Sequence, residues 1–176
     1  MIDKFKYSDK EIEEIVKSMV ILWDSREQKN NHILEVFEKN KIACQKRALD
    51  RCDYSFYIPA NESLNIPRAL FFDKEVAIER KASLDELANN WTKERDRFEK
   101  EMALAPKTKV LLIENSSYED IVRGNYRSNY NKKAFLATLH TFWIRYNLPF
   151  VFMPNKEQSA LFIKKYFEYY LKEYLR

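Results

Sequence analysis

A single glycine occurs in the 176 residues, so asparagine, aspartate, serine and proline must make most of the turns. Cysteine is nearly absent too. Cys44 and Cys52 have no Cys-x-x-Cys spacing, and the only two histidines, His32 and His140, lie apart from them and from each other. That is too few ligands for a structural zinc site, and the two thiols read as reduced, as in an intracellular protein. No uninterrupted apolar stretch approaches the ~18 residues a membrane span needs. The opening "MIDKFKYSDKEIEEIVKSM" is charged throughout and lacks the apolar segment of a signal peptide. A cytoplasmic protein without membrane attachment is the expectation. Repeats, low-complexity segments and linkers are also missing, so residues 1–176 read as one domain.

Hydrophobic residues make up 45% of the chain and aromatics 15%, enough for a packed core rather than disorder. With 31 basic and 27 acidic residues, net +4, local patterning rather than total charge decides what the chain binds. Residues 9–18 suit a helix capped by Ser8 or Asp9, with Ile12, Ile15 and Val16 inward. "MVILWD" (19–24) is a buried strand ending in an acid, and 29–40 a helix turning Ile33, Leu34 and Phe37 to the core. Residues 42–49 and 53–60 lean to strand, and 68–81 reads as a hairpin turning at Asp73-Lys74. Ser83 with Glu86 three residues on is a capping box. The helix it opens has an apolar stripe from Leu84 through Leu87, Ala88, Trp91 and Phe98 to Met102, with Arg95 misplaced in its middle. A strand at 109–115, a helix at 133–146, a strand at 149–153 and a helix at 155–175 follow. This alternation predicts one mixed α/β domain around a central sheet.

The chemistry concentrates in "AIERKASLDEL" (77–87). On a strand, Glu79 and Lys81 share one face while Arg80 takes the other. Asp24 ends one strand and Asp53 opens another; if those strands are neighbours, three carboxylates converge beside one ammonium. Clustered carboxylates raise one another's pKa unless a cation joins them, and Mg²⁺ takes oxygen ligands together with water and phosphate. With a lysine alongside, such a site suits phosphodiester hydrolysis. Plainer readings stay open on spacing alone. Asp24 and Glu27 could cap the following helix, and Glu79 and Lys81 could form a solvated cross-strand ion pair worth ~0.2–1 kcal/mol. Glu114 is either part of the site or a strand-end acid facing water.

In order, "ILWDSRE" (21–27), "DY" (53–54), "ERKASLDEL" (79–87) and "LLIE" (111–114) resemble the nuclease domain of the XPF family over roughly residues 19–153. These are structure-selective DNA endonucleases. The resemblance implies a restriction-endonuclease-like fold, α/β with a mixed central sheet flanked by helices. It also implies cleavage of branched DNA (flaps, forks or Holliday-type junctions) in recombination, replication or repair, with Mg²⁺, for which Mn²⁺ substitutes. Carried over by residue, it makes Asp24, Asp53 and Glu79 metal ligands and Asp24, Glu27, Asp53, Glu79, Arg80 and Lys81 the catalytic set. Lys81 would stabilise the transition state or orient the water; Arg26 and Arg80 would hold site carboxylates or phosphate. Arg95 or Arg97 would be the family's helix arginine, and Asp85 would fix one of the bases or favour its helix N-terminus. Cys52 stands where the family has glycine. The chain ends in "FIKKYFEYYLKEYLR", leaving no room for the tandem helix-hairpin-helix module of many members. Duplex binding would then fall to the domain itself, a dimer mate or another protein. The compact layout looks like phage or bacterial members.

"RGNYRSNYNKK" (123–133) interleaves Arg123, Arg127, Lys132 and Lys133 with Tyr126 and Tyr130. Such bases neutralise phosphates and such rings stack on exposed bases of partly single-stranded DNA; the alternative is a solvated polar loop. His32 and His140 read as structural. Phe162, Ile163, Tyr166, Phe167, Tyr170, Leu171 and Tyr174 give the last helix a wide apolar face for the sheet, with some of it left, as the resemblance also suggests, for a homodimer. The rival function is a non-catalytic subunit that targets branched DNA to a partner nuclease. Degenerate relatives of that kind lose the acids or the lysine, all of which are kept here.

Overall fold

The structure, a computed structural model, describes residues 6–176. Seven strands form one mixed sheet: β1 (Val20–Asp24), β2 (Cys44–Arg47), β3 (Tyr54–Ile58), β4 (Leu70–Phe71), β5 (Val76–Lys81), β6 (Thr108–Glu114) and β7 (Phe150–Met153). Their order is β2-β1-β3-β5-β6-β7, with β4 on β3. β3 runs antiparallel to β1, β4 and β5, and the remaining pairs are parallel. Helices α1 (Asp9–Ser18), α2 (Asn31–Lys39) and α7 (Ser159–Leu175) pack on one face of the sheet. The other face carries α3 (Leu84–Lys93), α4 (Arg95–Leu104), α5 (Tyr118–Arg123) and α6 (Lys132–Tyr146). This is the mixed α/β sheet flanked by helices that the sequence predicts. Among the described residues, no helix is long and apolar enough to cross a membrane.

Strand alternation divides the core in two. In β6, Val110 and Leu112 join Ile15, Ile33, Phe37, Phe56 and Phe167 on the α1/α2/α7 side. Leu111 and Ile113 join Leu87, Trp91, Phe98, Phe135 and Phe142 on the other. A strand covered on both faces has no solvent side, which is why its sequence is a continuous apolar run. On α7, Ile163, Phe167 and Leu171 are buried, while Tyr174 is half exposed. The scarcity of glycine is met as expected by asparagine. Asn65, Asn115 and Asn147 adopt φ of 56, 50 and 48°, the left-handed region that asparagine tolerates better than most residues.

Two expectations are corrected. β4 and β5 do not form a hairpin with each other. Both lie antiparallel along the same edge of β3, β4 opposite Tyr57 and Ile58 and β5 opposite Tyr54. Between them the Phe72 amide donates to Phe56 O at 3.0 Å, so residues 73–75 are an excursion from one broken strand. Phe72 holds that excursion in place: its ring stacks on Phe56 at 4.5 Å, and its carbonyl accepts from the Glu75 and Val76 amides.

The helix opened by Ser83 is two helices, broken at Glu94 (φ −125°, ψ 26°). Unbroken, it would aim Arg95 into the core beside Trp91 and Phe98. The break rotates Arg95 out to Glu99, 3.2 Å away. It also lets Trp91 and Phe98 both close on Phe142, at 5.4 and 5.5 Å.

Candidate active site

Parity decides what the three adjacent strands β1, β3 and β5 present. Ile21, Tyr54, Phe56, Ile58, Val76 and Ile78 all face the α1/α2/α7 side. Asp24, Asp53, Glu79 and Lys81 are out of phase with them and so share the α3/α4 side; Arg80 is in phase and faces away. Backbone bonds fix the juxtaposition. The Asp24 amide donates to Asp53 O at 2.8 Å, the Asp53 amide to Ile78 O at 3.0 Å, and the Arg80 amide to Asp53 Oδ2 at 2.7 Å.

These residues, with Arg26 and Glu27, floor a cleft of about 260 Å³ walled by α3 and α4. The wall adds Glu86, Asn90, Glu94, Arg97 and Glu101, which the sequence reading passed over except as a cap and a possible arginine. Their signal was the i, i+4 repeat of polar residues beside the apolar stripe, 86-90 on α3 and 97-101 on α4. Arg97, not Arg95, is the helix arginine that lines the cleft. Seven acids against three basic side chains, Arg26, Lys81 and Arg97, leave the lining negative.

Each central carboxylate has a partner. Arg26 Nε donates to Asp24 Oδ2 at 2.7 Å while its terminal nitrogen donates to Leu49 O. Lys81 Nζ lies 2.7 Å from Glu79 Oε1 and 5.3 Å from the centre of the Phe98 ring. Burial pushes the Asp53 carboxyl well above its usual range, and the charge of Glu79 adds to the push. Burial also raises Glu79, with Lys81 pulling it back. For Lys81 burial acts downward, but Glu79 and Asp53 outweigh it and hold the amine protonated.

With the side chains so paired, no three His, Cys, Asp or Glu groups among the described residues stand close enough to enclose a metal ion. Asp24 is committed to Arg26, which leaves oxygens of Asp53 and Glu79 to face a cation. Mg²⁺ binds through one or two carboxylates with water and substrate phosphate completing its shell, so this all-oxygen pair fits it.

On the opposite face, the 3% exposed Arg80 side chain reaches Glu114 Oε2 at 2.9 Å and Glu27 Oε2 at 3.3 Å, and donates to Lys29 O at 2.8 Å. Glu114 is wholly buried, with His32 Nε2 2.8 Å from its Oε1. Burial acts to raise the Glu114 carboxyl, yet contacts with Ser159, His32 and Arg80 hold it below its ordinary value. Glu114 therefore neither faces water nor lines the cleft; it anchors Arg80. Glu27 belongs to both the network and the cleft. The capping reading of Asp24 and Glu27 falls, since α2 starts at Asn31 with Asn30 as its N-cap residue.

Cys52 makes the bend that delivers Asp53. Its φ of 60° is a left-handed conformation costing an L-residue roughly 1–2 kcal/mol, so the chain makes a turn that favours glycine without using one. Asp85 does not touch the cleft bases. Its Oδ1 accepts from the backbone amides of Arg127 and Ser128 at 2.8 and 2.7 Å. In that loop, Tyr126 and Tyr130 set their rings edge-on against Phe135, at 5.2 and 5.4 Å, and Tyr130 Oη is 2.7 Å from Thr138 Oγ1. They pack half-buried against α6, and Tyr130 also borders a groove beside α3. Arg123 pairs with Glu119, and Arg127, Lys132 and Lys133 are exposed.

Two solved structures share the fold. XPF from Aeropyrum pernix superposes with a TM-score of 0.60 at 13% identity, covering 86% of this chain and 61% of that one. XPF from Aeropyrum pernix in complex with DNA gives 0.61 at 15% identity, covering 88% and 66%. This chain thus spans less than two-thirds of either, and at such identities the likeness is one of fold. No curated protein matches significantly. The model of the ERCC4 domain matches residues 23–166, a span that takes in every side chain of the cleft. The chain belongs to the ERCC4 domain family.

Proposed function

We propose that the cleft hydrolyses DNA phosphodiesters at branched or partly single-stranded sites with a divalent cation, Mg²⁺ or in its place Mn²⁺. The observation that carries this reading is the meeting of Asp53, Glu79 and Lys81 on one face of neighbouring strands. Membership of the ERCC4 domain family and the fold shared with a DNA-bound XPF support DNA as the substrate.

Asp53 and Glu79 would hold Mg²⁺, which would supply Lewis acidity toward a phosphate oxygen and an activated water. Lys81 is kept charged by Glu79, 2.7 Å away, so it does not accept a proton at neutral pH. Its work is to stabilise charge building on the phosphate, or to hold the water. Arg97 offers the cleft a planar fork suited to a phosphate, and Arg26 holds Asp24 in place through its 2.7 Å bond. Arg127, Lys132 and Lys133 neutralise phosphates of the flanking strand.

Incubated with flap, fork and four-way-junction DNA, the protein is expected to release product with Mg²⁺, none after EDTA, and product again once Mn²⁺ is added. Absence of metal-dependent product on every branched substrate would leave only the DNA-targeting role.

A further inference from the structure

We infer that Asp85 is a positioning residue that holds the loop after α5 against α3, and that the groove so formed takes a DNA strand running on from the cleft. Helix α3 stands between two concavities. Glu86 and Asn90 face the cleft, while Asp85, Asn89, Thr92 and Lys93 border a second groove of about 820 Å³ whose far bank is residues 127–131. A strand crossing the exposed crest of α3 enters both.

The groove suits a sugar-phosphate backbone. Hydroxyls and amides dominate it, with Lys93 and Arg127 as its cations; these groups contact phosphate and sugar without reading sequence. Its one acid is Asp85, and that charge is occupied by two backbone N–H donors more than forty positions away in the chain. Such charge-assisted bonds are stronger than neutral ones. Residues 125–131 form no helix or strand. Tyr126 and Tyr130 hold the loop to α6, whereas its approach to α3 rests on Asp85.

This deepens the nuclease reading and rests on it for the nature of the strand, so the test is made on binding, with EDTA present and no cleavage. Anisotropy of a labelled flap DNA is measured for the wild type, Asp85→Ala, Asp85→Asn and Lys93→Ala, with hydrogen exchange of residues 125–131 followed in parallel. Asp85→Ala is expected to weaken binding roughly tenfold and to speed exchange at Arg127 and Ser128. Asp85→Asn, which keeps an oxygen acceptor, should recover most of both. Lys93→Ala should weaken binding with exchange unchanged. With metal restored, the loss in Asp85→Ala should fall on KM rather than kcat. Faster exchange with unaltered affinity in Asp85→Ala would overturn the inference, as would equal losses in Ala and Asn variants whose loop exchanges like the wild type. A wild type that binds in this pattern but never cuts would sink the nuclease reading and leave the groove standing.

Discussion

Asp53→Asn is expected to abolish cleavage while raising the melting temperature. The activity loss should be at least about 10²–10³-fold, the range for removing one electrostatic contributor to a transition state, because Asp53 is one of the two strand carboxylates proposed to hold the cation. The gain in stability has a separate cause. Asp53 lies half-buried beside Glu79, and its carboxyl is pushed up mainly by desolvation. A group whose folded pKa lies above its unfolded value contributes stability that is fully present below the unfolded pKa, about 3.9 for aspartate, and is lost as pH rises through the folded pKa. At neutral pH the wild type therefore bears the cost of burying or protonating a carboxyl that is ionised in the unfolded chain, a cost absent with asparagine, while an asparagine carbonyl can still accept from the Arg80 amide. The two melting curves should coincide near pH 3.5 and separate as pH rises, each kcal/mol appearing as about 2–4 °C in a chain of this size. A thermal-shift series across pH checks this. A lower melting temperature for the variant at neutral pH would show that Lys81 and the Arg80 amide outweigh the burial of Asp53.

The second large effect lies outside the cleft. Glu114→Ala removes the carboxylate 2.9 Å from Arg80 and 2.8 Å from His32, leaving a 3% exposed guanidinium with Glu27 as its remaining acid. Breaking a buried ion pair by deleting one partner costs about 3–5 kcal/mol, or roughly 6–20 °C here. Because Arg80 also holds Glu27 and Lys29 O, activity should fall as the β1–α2 connection loosens. Glu114→Gln, which retains an acceptor, should lose less of both. A drop below about 1 kcal/mol in the alanine variant, measured by denaturant unfolding, would mean that Glu27 satisfies Arg80 unaided.

The polar ends of the strands, Asp24 after β1, Asp53 before β3 and Glu79 late in β5, were legible because a doubly buried strand is an apolar run bounded by polar chemistry. Period two likewise separated Glu79 and Lys81 from Arg80 before any neighbour was known. What escaped was non-local. The partner of Arg80 depends on β5–β6 register, which sets it beside Leu112, and on His32, eighty-two positions from Glu114; no local pattern encodes either. The break at Glu94 carries no glycine or proline to announce it, and only the misplaced Arg95 hinted at it. Basic and aromatic interleaving in 123–133 was visible, but Phe135 decides which way the rings turn. β4 lies along β3 rather than folding back on β5 because Phe72 stacks on Phe56, a contact that spacing cannot show.

Hydrolysis in the cleft, as proposed, depends on Asp53 and Glu79 together binding a divalent cation. Mn²⁺ titrated into DNA-free protein and followed by its paramagnetic resonance signal tests it directly. Saturable binding in the wild type, lost in both Asp53→Asn and Glu79→Gln, is the expected result; undiminished binding in either variant would contradict it.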